Sequence, residues 1–561
     1  MYRSRPSAAH ILALCALILP ALPAMARDDA FLKAKPEDLA WWQNARFGMF
    51  VHWGPVSLKG TEIGWSRGGE RRGIGGTGEI PVEEYDNLYK RFNPVGFDAD
   101  EWVRIAKAAG MKYLVFTSKH HDGFCEFDSA LTNYKITNSP FGRDVVKELA
   151  DACHRAGLRL GFYYSPPDFH HPDFRAGSPV AYQRYLRGQL KELCSNYGKV
   201  DIIWFDGLNG TAQEWNSAEL IRMIRRLQPH VLINNRAGLP ADFDTPEQTI
   251  GRYQVDRPWE SCITICNQWA YKPNDTMKSL KECIDTLVRC AGGDGNLLFN
   301  AGPMPTGAIE PRQVERLREM GKWLRRHGDT IYGTHGGPFR PGAWGAATSV
   351  GDRVYVHILA PDVTEVTLPP MDARIVHARL LADGEAAVEQ TDDRITISVP
   401  KECLQELDTI VELRLDRPAA EANARPMRSG SLAFREPATA SNVCGGSPVY
   451  GPSAALDDDP DTRWATDYGV YHAYMDLDLG AEQLIGRAYL SEACGNRVQS
   501  FELQANEGDT WRTFYAGKQI GEGLNIEFPP VRAREVRLNI LEATEGPTLW
   551  EVQLLAPSGA K

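Results

Sequence analysis

The chain has 561 residues, enough at about 150 residues per domain for three or four structural units. It carries 62 Lys and Arg against 73 Asp and Glu, a formal charge of −11. We therefore expect no nucleic acid among its partners, because phosphate binding needs a basic surface. With 43% hydrophobic and 24% charged residues, the composition is typical of folded globular proteins and excludes a largely disordered chain.

The N-terminal segment contains the only long apolar run of the sequence. Arg3 and Arg5 precede the run 11–22, and the small residues Ala24 and Ala26 follow it. This order is typical of a secretory signal peptide, so we expect residues 1–26 to be removed and the protein to be periplasmic or secreted, with no membrane partner after cleavage. A membrane anchor is the alternative, although the run is shorter than the ~20 residues that span a bilayer.

Residues 27–340 alternate between β-rich apolar runs and amphipathic helical stretches. The predicted strands are 47–53, 113–118, 159–165, 201–205, 231–235, 263–268 and 296–300. Helical stretches such as 144–156 and 182–196 lie between them, with apolar residues at i, i+3 and i+4. This alternation predicts an α/β fold, a (β/α)8-like TIM barrel, with an open doubly wound sheet as the alternative.

The remainder of the chain changes to short strands separated by turn residues. We predict a small antiparallel β-sandwich over residues 341–418, a linker over 419–431 that is rich in Ala, Pro and Arg, and a second β-sandwich over 432–558. The architecture expected from the sequence is thus a barrel followed by two β-rich units.

Polar and aromatic side chains gather where the predicted barrel strands end. Those ends meet on one face of a parallel barrel, which is where its reactive groups lie. Such side chains suit a neutral polyhydroxylated ligand, because aromatic faces pack on sugar rings while polar groups bond to hydroxyls. The strand-end residues of this kind are His52, His120, His121, Tyr163, Trp204, Arg236 and Trp269.

Hydrolysis of a sugar linkage requires two carboxylates, a nucleophile and a proton donor. Asp206 follows an apolar strand and precedes a glycine, so we expect it to be the nucleophile. Glu247, on a loop ordered by Pro246, is the preferred acid/base, and Glu260 is the alternative.

A catalytic metal is a competing interpretation of the paired histidines, which lie near Asp122, His170 and His171. Adjacent side chains on a strand diverge, and HxH and HExxH spacings are absent, so we predict no metal in the catalytic site.

Four segments together resemble the family 29 glycoside hydrolases, the retaining α-L-fucosidases. They are 46–54 (RFGMFVHWG), 117–124 (TSKHHDGF), 204–207 (WFDG) and 295–303 (GNLLFNAGP). The resemblance implies a barrel followed by a β-sandwich, catalysis without a cofactor, and a fucosylated oligosaccharide or glycoprotein glycan as the partner. It implies that Asp206 is the nucleophile and Glu247 the acid/base, in a Thr-Pro-Glu-Gln segment similar to members that prefer α-1,3/1,4 linkages. It further implies that fucose is held by His52, His120, His121, Tyr163, Trp204 and Arg236.

The sequence departs from the family pattern in the loop after the first strand. Many relatives carry a Glu-Trp pair where this chain has Gly64 and Trp65. Trp65 is still expected to contact the sugar, and Glu62 or Glu79 are candidates to supply the missing carboxylate.

The C-terminal unit is similar to the discoidin-like (factor V/VIII type C) carbohydrate-binding modules. The similarity lies in segments 438–441 (ATAS), 450–457 (YGPSAALD), 461–464 (DTRW) and 476–480 (DLDLG). It implies a structural Ca²⁺, for which Asp459, Asp461 and Thr462 are candidate ligands. A second possibility is the same turn without metal. The candidate glycan-binding side chains of this unit are Tyr468, Tyr471, His472 and Tyr474.

Two other functions stay open at the level of sequence. One is a retaining glycosidase for a related, galactose-configured sugar, and the other is a non-catalytic glycan-binding protein that keeps the barrel. The pair of carboxylates favours an enzyme over a binding protein.

Overall fold

The computed structural model describes residues 30–70, 78–207, 210–382, 384–422, 424, 429–459, 462–508, 510–521 and 523–557. The predicted signal peptide, Asp461 and residues 425–428 of the predicted linker lie outside these described residues. Within them, no helix combines the length and the apolar composition required to cross a bilayer.

Seven parallel strands form the first sheet, in the order β5-β4-β3-β2-β1-β7-β6. The segment 243–247 fills the gap between the two edge strands, because Phe243 pairs with Asn234 after β5 and Glu247 pairs with Cys262 of β6. The sheet therefore curves into the predicted TIM-like barrel, and Glu247 lies in the segment that closes it. The strands are β1 (Phe47–Val51), β2 (Tyr113–Lys119), β3 (Arg159–Tyr164), β4 (Ile202–Phe205), β5 (Leu232–Ile233), β6 (Glu260–Thr264) and β7 (Asn296–Ala301).

Helices cover the outside of the barrel, and their apolar faces pack on the strands. Polar N-caps define where several of them begin: the side chains of Asp98, Asp144 and Ser178 each accept a backbone N–H from the first turn of α3, α4 and α5. The helices are α1 (Pro36–Ala45), α2 (Val82–Asp86), α3 (Ala99–Ala108), α4 (Val145–Ala156), α5 (Pro179–Asn196), α6 (Ala212–Trp215), α7 (Ser217–Leu227), α8 (Leu280–Gly292) and α9 (Pro311–His327).

The inside of the barrel is a separate, largely aromatic cluster. Phe50, Tyr163 and Trp204 lie in it, together with Tyr113 near the amino end of β2. A Cβ on Gly48 would lie 2.2 Å from the Tyr113 ring, so β1 needs glycine there for this ring to fit. These large side chains fill the barrel and leave space only at its carboxyl end.

Strand β6 differs from its prediction. We expected 263–268, whereas the structure has Glu260–Thr264. The chain leaves the sheet soon after Thr264 because the backbone N–H groups of Asn267 and Gln268 donate to the carboxylate of Asp275 instead of to a neighbouring strand. This earlier start puts Glu260 in the sheet itself.

Residues 335–424 form the predicted antiparallel β-sandwich, with slightly wider bounds than expected. Ala419 and Ala422 are buried in its core and Ala424 pairs with Met371, so the first residues of the predicted linker belong to the sandwich. Its sheets have the orders β12-β15-β10-β9-β8 and β11-β14-β13. The strands are β8 (His335–Gly336), β9 (Gly345–Val350), β10 (Arg353–Ile358), β11 (Glu365–Leu368), β12 (Ile375–Leu380), β13 (Ala387–Gln390), β14 (Ile395–Ser398) and β15 (Thr409–Leu415).

The C-terminal unit is a second antiparallel β structure with its own hydrophobic core. At its start, Ser431 Oγ accepts the backbone N–H of Leu554 at 3.1 Å, and the Leu432 N–H donates to the carbonyl of Leu554 at 2.7 Å. The predicted start at 432 lies next to these contacts. The strands are β16 (Ala438–Ala440), β17 (Trp464–Ala465), β18 (Ala473–Glu492), β19 (Val498–Asn506), β20 (Trp511–Gly517), β21 (Leu524–Ala543) and β22 (Thr548–Leu555).

Candidate active site

A cavity of about 270 Å³ opens at the carboxyl end of the barrel, where the sequence predicts the site. Its walls bring together residues from six strands or the segments that follow them. Nine of the predicted residues line it: His52, Trp65, His120, Tyr163, Trp204, Asp206, Arg236, Glu247 and Trp269. The structure therefore brings these nine residues together in one cavity, while their roles stay predictions.

Phe50 and Cys262 also line this cavity, and the sequence analysis did not select them. Phe50 lies two residues before His52 on β1, and side chains two apart on a strand point to the same side. This two-residue alternation could have identified Phe50 as a lining residue. The sequence analysis did not select Cys262 because the predicted strand began one residue after it.

Asp206 follows β4, and three neighbours surround its carboxylate. The Tyr163 hydroxyl donates to Oδ2 at 2.9 Å, His121 Nε2 lies 3.2 Å from the same oxygen, and Arg236 Nη1 donates to Oδ1 at 3.1 Å. Burial by itself raises the pKa of Asp206, but the positive charges of His121 and Arg236 outweigh it and hold this pKa well below its ordinary value. Asp206 is therefore ionised, as a carboxylate nucleophile must be.

Arg236 joins the two candidate catalytic carboxylates. Its Nη1 donates to Oδ1 of Asp206 at 3.1 Å and to Oε2 of Glu247 at 2.9 Å. Those two oxygens can be no further apart than the two bonds laid end to end, about 6 Å, which is close to the 5–5.5 Å typical of retaining glycosidases. The predicted proximity of Asp206 and Glu247 is confirmed.

Glu260, the alternative acid/base, lies away from the cavity at the start of β6. Its side chain is fully buried, and it accepts hydrogen bonds from Trp42 Nε1 and Trp204 Nε1, both at 3.2 Å, and from the Tyr113 hydroxyl. Burial raises the pKa of Glu260 to about 7. This carboxyl group joins three aromatic side chains through hydrogen bonds and does not line the cavity.

His52 has a defined tautomer. Asn300 Nδ2 donates to the carbonyl of Trp269 at 2.7 Å, which turns Asn300 Oδ1 toward Nδ1 of His52, also at 2.7 Å. An amide oxygen only accepts, so Nδ1 carries the hydrogen and Nε2 is left as an acceptor. Burial lowers the pKa of His52 to about 3, which keeps the ring neutral. His52 is thus suited to accept a hydrogen bond from a sugar hydroxyl.

Aromatic rings form one wall of the cavity. His120 stacks on Tyr163 with ring centroids 5.4 Å apart and planes 5° apart, and Tyr163 stacks on Trp204 at 5.7 Å and 17°. The Arg236 guanidinium lies 4.7 Å above the Trp204 ring. This wall combines flat apolar faces with polar edges, the combination that a sugar ring requires.

His121 lies behind Asp206. Its Nδ1 is 2.6 Å from the Ser165 hydroxyl, which itself donates to the carbonyl of Pro167 at 2.7 Å. Ligand atoms of His120, His121 and Asp206 lie within 4.8 Å of one another, a spacing that could hold a metal ion. Ser165 holds Nδ1 of His121, and Nε2 of the same ring lies 3.2 Å from Asp206, so the geometry favours a role in holding Asp206.

The family comparison agrees with this geometry. A sequence model described as "Alpha-L-fucosidase" matches residues 28–329, more than half of the chain. The chain belongs to the α-L-fucosidase family. The human plasma alpha-L-fucosidase is 32% identical over 326 residues, which are 53% of this chain and 69% of the human protein.

Solved α-L-fucosidase structures resemble about two thirds of the chain. Alpha-L-fucosidase isoenzyme 1 from Paenibacillus thiaminolyticus is 38% identical, covers 68% of this chain and 99% of its own, and has a TM-score of 0.62. An α-L-fucosidase from Bacteroides thetaiotaomicron, solved as a trapped covalent intermediate with 2-fluoro-fucosyl fluoride, is 28% identical, covers 68% of this chain and 97% of its own, and has a TM-score of 0.60.

The geometry of the loop after β1 accounts for glycine at position 64 of this α-L-fucosidase family member. Gly64 has φ +70°, and a Cβ there would lie 2.7 Å from Nδ1 of His120. Neither candidate for the missing carboxylate lines this cavity. The Glu62 oxygens accept the backbone N–H groups of Trp269 and Ala270 at 3.0 and 3.1 Å, and Glu79 is exposed.

Trp65 lies at the cavity in which the sequence analysis expects it to contact the sugar. It is largely buried, lines the cavity and packs edge-on against His121 with ring centroids 5.2 Å apart. Its contact with the sugar stays a prediction.

The C-terminal unit matches a sequence model described as "F5/8 type C domain" over residues 437–552. Of its candidate glycan-binding side chains, Tyr468 is 91% exposed, while Tyr474 lies against the Arg537 guanidinium at 3.9 Å. Tyr471 is half exposed, and His472 Nδ1 is 2.5 Å from the carbonyl of Leu541. Tyr468 and Tyr471 are thus the members with rings free to meet a ligand.

Proposed function

We propose that this protein is a retaining exo-α-L-fucosidase in which Asp206 is the nucleophile and Glu247 the acid/base. The observation that carries the proposal is the pair of carboxylates joined by Arg236 in one cavity of about 270 Å³. The covalent intermediate trapped in the Bacteroides relative supports a two-step mechanism.

In the first step, a carboxylate oxygen of Asp206 forms a bond to the anomeric carbon while the bond from that carbon to the glycosidic oxygen breaks. Glu247 donates its proton to the departing oxygen. Arg236 Nη1 donates to Glu247 Oε2 at 2.9 Å in the free site, which holds the carboxyl group of Glu247 close to Asp206.

In the second step, the ionised Glu247 takes a proton from water, and the water oxygen attacks the anomeric carbon. The ester bond to Asp206 breaks, which releases fucose and restores the carboxylate. His121 and Arg236 stabilise the negative charge of the Asp206 carboxylate, which lowers the pKa of Asp206. The same stabilisation makes this carboxylate a better leaving group.

The linkage proposal rests on the sequence around Glu247. Its Thr-Pro-Glu-Gln segment resembles members that prefer α-1,3/1,4-linked fucose on branched glycans, so we propose that preference here. A panel of α-1,2-, α-1,3-, α-1,4- and α-1,6-linked substrates tests it, and faster cleavage of the α-1,2 or α-1,6 linkage would contradict it.

Trapping with 2-fluoro-fucosyl fluoride tests the sugar, the nucleophile and the stereochemistry together. We expect peptide mass spectrometry to find the fluorofucosyl group on Asp206 and the Asp206→Ala variant to remain unlabelled and inactive. Labelling at another residue would overturn the assignment of Asp206, and faster hydrolysis of aryl galactosides than of aryl fucosides would overturn the assignment of the sugar.

We also propose a structural Ca²⁺ in the C-terminal unit, near Asp459 and Thr462. Glu551 supports it, because both of its buried carboxylate oxygens have no hydrogen-bond partner among the described residues. Burial and the nearby charges of Asp457, Asp458 and Asp459 raise the pKa of Glu551 to about 8. Hard oxygen ligands in this arrangement suit calcium, which would offset the mutual repulsion of the carboxylates.

Thermal unfolding tests the calcium proposal without relying on activity. We expect millimolar Ca²⁺ to raise the Tm of the C-terminal transition relative to chelator, because a ligand that binds only the folded state stabilises it. In Glu551→Gln the calcium-dependent shift should disappear. An equal shift in both proteins, or none in the wild type, would contradict the site.

A further inference from the structure

The lysine of the 117–124 segment has no role in the two-step mechanism, yet it is completely buried. Lys119 ends β2, and its Nζ lies 3.3 Å from Oδ2 of Asp168, whose side chain is only 2% exposed. The Tyr164 ring lies 4.7 Å from the same ammonium group. Removing two opposite charges from water costs free energy that their attraction offsets only in part, so such a pair is a poor source of stability. Its position beside the histidines of the site points to another use.

Asp168 is the centre of the loop that follows β3, here named the clamp loop (residues 165–171). Its Oδ1 accepts the backbone N–H groups of His170 and His171 at 3.1 and 2.9 Å. Its Oδ2 faces the ammonium group of Lys119 at the end of β2. One carboxylate therefore fixes the turn of the clamp loop and attaches this loop to the neighbouring strand.

The clamp loop holds His121 through two short contacts. The Ser165 hydroxyl, which donates to the carbonyl of Pro167 at 2.7 Å, lies 2.6 Å from Nδ1 of His121. The Phe169 N–H donates to the carbonyl of His121 at 2.7 Å. Both the ring and the backbone of His121 are thereby fixed, and its Nε2 lies 3.2 Å from Oδ2 of Asp206.

We propose that Asp168, paired with Lys119, is a positioning residue for catalysis, because this ion pair holds the clamp loop and so keeps the His121 ring against the nucleophile. The proposal rests on the function proposed above, in which Asp206 attacks the sugar. Asp168 does not line the cavity itself and acts through His121, whose positive charge stabilises the Asp206 carboxylate. A displaced His121 ring should therefore slow the chemical steps and leave the other walls of the cavity in place.

Covalent trapping with 2-fluoro-fucosyl fluoride measures the first chemical step by itself. Saturation kinetics separate the rate constant of labelling from the half-saturating concentration of the reagent. We expect Asp168→Asn to lower the rate constant about tenfold to a hundredfold, since a misplacement of about 1 Å at a reacting group costs up to about 10²-fold. The half-saturating concentration should change less than about twofold, because the interaction lost acts in the transition state. The final amount of label counts the folded active sites, so partial unfolding does not imitate this result.

Asp294→Asn is the matched control. Asp294 forms a buried ion pair with Arg46 at 2.5 Å, next to the amino ends of β1 and β7 and thus at the opposite end of the barrel. Its φ of +67° is a conformation that asparagine tolerates. We expect this variant to lower the Tm, as Asp168→Asn does, and to leave the labelling rate constant unchanged. Equal losses of rate constant in the two variants would show a merely structural role and would overturn the proposal.

Lys119→Met tests whether the two charges act as one unit. It should lower the rate constant by a factor similar to that of Asp168→Asn. The double variant should lose no more than the more affected single variant, because the effects of removing two partners of one interaction do not add. Losses that multiply in the double variant would overturn the role of the ion pair.

Ser165→Ala keeps the ion pair and removes only the contact with Nδ1 of His121, so it tests the clamp loop even if the charge variants do not fold. We expect it to lower the labelling rate constant about threefold to tenfold, the effect of one lost hydrogen bond. An unchanged rate constant in either Ser165→Ala or Asp168→Asn would overturn the proposal. Failure of the proposed function looks different, because the label would then be found on a residue other than Asp206 in the wild type.

Discussion

At the scale of single residues, the two candidate acid/base carboxylates lie in opposite environments. Glu247 lines the cavity and contacts the guanidinium group of Arg236, whereas Glu260 is enclosed by three aromatic donors. Chain position alone could not separate them, because both precede or enter β6. Their accessibility to a substrate does separate them.

Glu247→Ala should therefore lose most activity on oligosaccharides and keep more on 4-nitrophenyl fucoside, whose leaving group needs little protonation. Added azide should restore turnover of the aryl substrate by replacing water in the second step. General acid/base catalysis typically contributes 10²–10⁴-fold, so we expect a loss in that range on glycans.

Glu260→Gln should behave in another way. It removes one acceptor from buried donors, so we expect a loss of about 1–3 kcal/mol in the free energy of unfolding and no rescue by azide. The folded-state pKa of about 7 is above the ordinary value of 4.5. The folded wild type therefore binds the extra proton, and its stability should fall as pH rises from about 4.5 to 7, a slope that the variant lacks. Azide rescue of Glu260→Gln would reverse the assignment.

Asn300 acts on the sugar site through His52. Asn300→Asp replaces the amide by a carboxylate, which raises the pKa of His52 and converts its Nε2 from acceptor to donor. We expect KM for the aryl fucoside to rise about tenfold at pH 5 and the effect to shrink as pH increases. A pH-independent KM in this variant would mean that His52 does not accept a hydrogen bond from the sugar.

At the scale of elements, the barrel depends on how its strands meet inside. β1 pairs with β2 and β7, and Gly48 lets the Tyr113 ring reach Glu260. The segment 243–247 closes the barrel through single pairings, which bring Glu247 to the cavity without a regular eighth strand.

Gly48→Ala tests that packing. The new methyl group would overlap the Tyr113 ring, so we expect a loss of about 1–3 kcal/mol in the free energy of unfolding, measured with urea. Gly495→Ala is the control, because no atom lies within 4 Å of a Cβ placed there. Equal stability of the two variants would show that the Tyr113 ring has room to move.

At the scale of the whole molecule, the C-terminal unit has a hydrophobic core of its own, whereas Ala346, Tyr355 and Ile410 of the β-sandwich belong to the same hydrophobic cluster as the barrel. Two contacts join the C-terminal unit to the units before it. Arg340 of the β-sandwich pairs with Asp459 at 2.7 Å, and the guanidinium group of Arg252, in the barrel, lies 5.6 Å from the Trp550 ring. Each such contact contributes about 1 kcal/mol or less.

Removal of the chain after Ala424 should therefore leave kcat/KM for 4-nitrophenyl fucoside within about twofold of the full-length value. The calcium-dependent unfolding transition should disappear with the removed unit. A large loss of aryl fucosidase activity would show that the C-terminal unit supports the barrel and is more than an attached module.

Much of this architecture could be predicted from local patterns. The alternation of strands and helices indicated the barrel, because period-2 and 3.6-residue patterns depend only on neighbouring residues. Asp206 was identifiable for a similar reason, since a polar residue directly after a buried strand lies at the carboxyl end of the barrel.

The rest depended on contacts between residues far apart in the chain. Ser165 and His121 are 44 positions apart in the chain, and Asn300 and His52 are 248 positions apart. Trp42, which donates a hydrogen bond to Glu260, is 218 positions from it. No local pattern encodes such pairings. The sequence by itself determined the order of elements and the residues available for chemistry, whereas the tertiary structure decided which carboxylate faces the cavity, because only packing sets burial and distance.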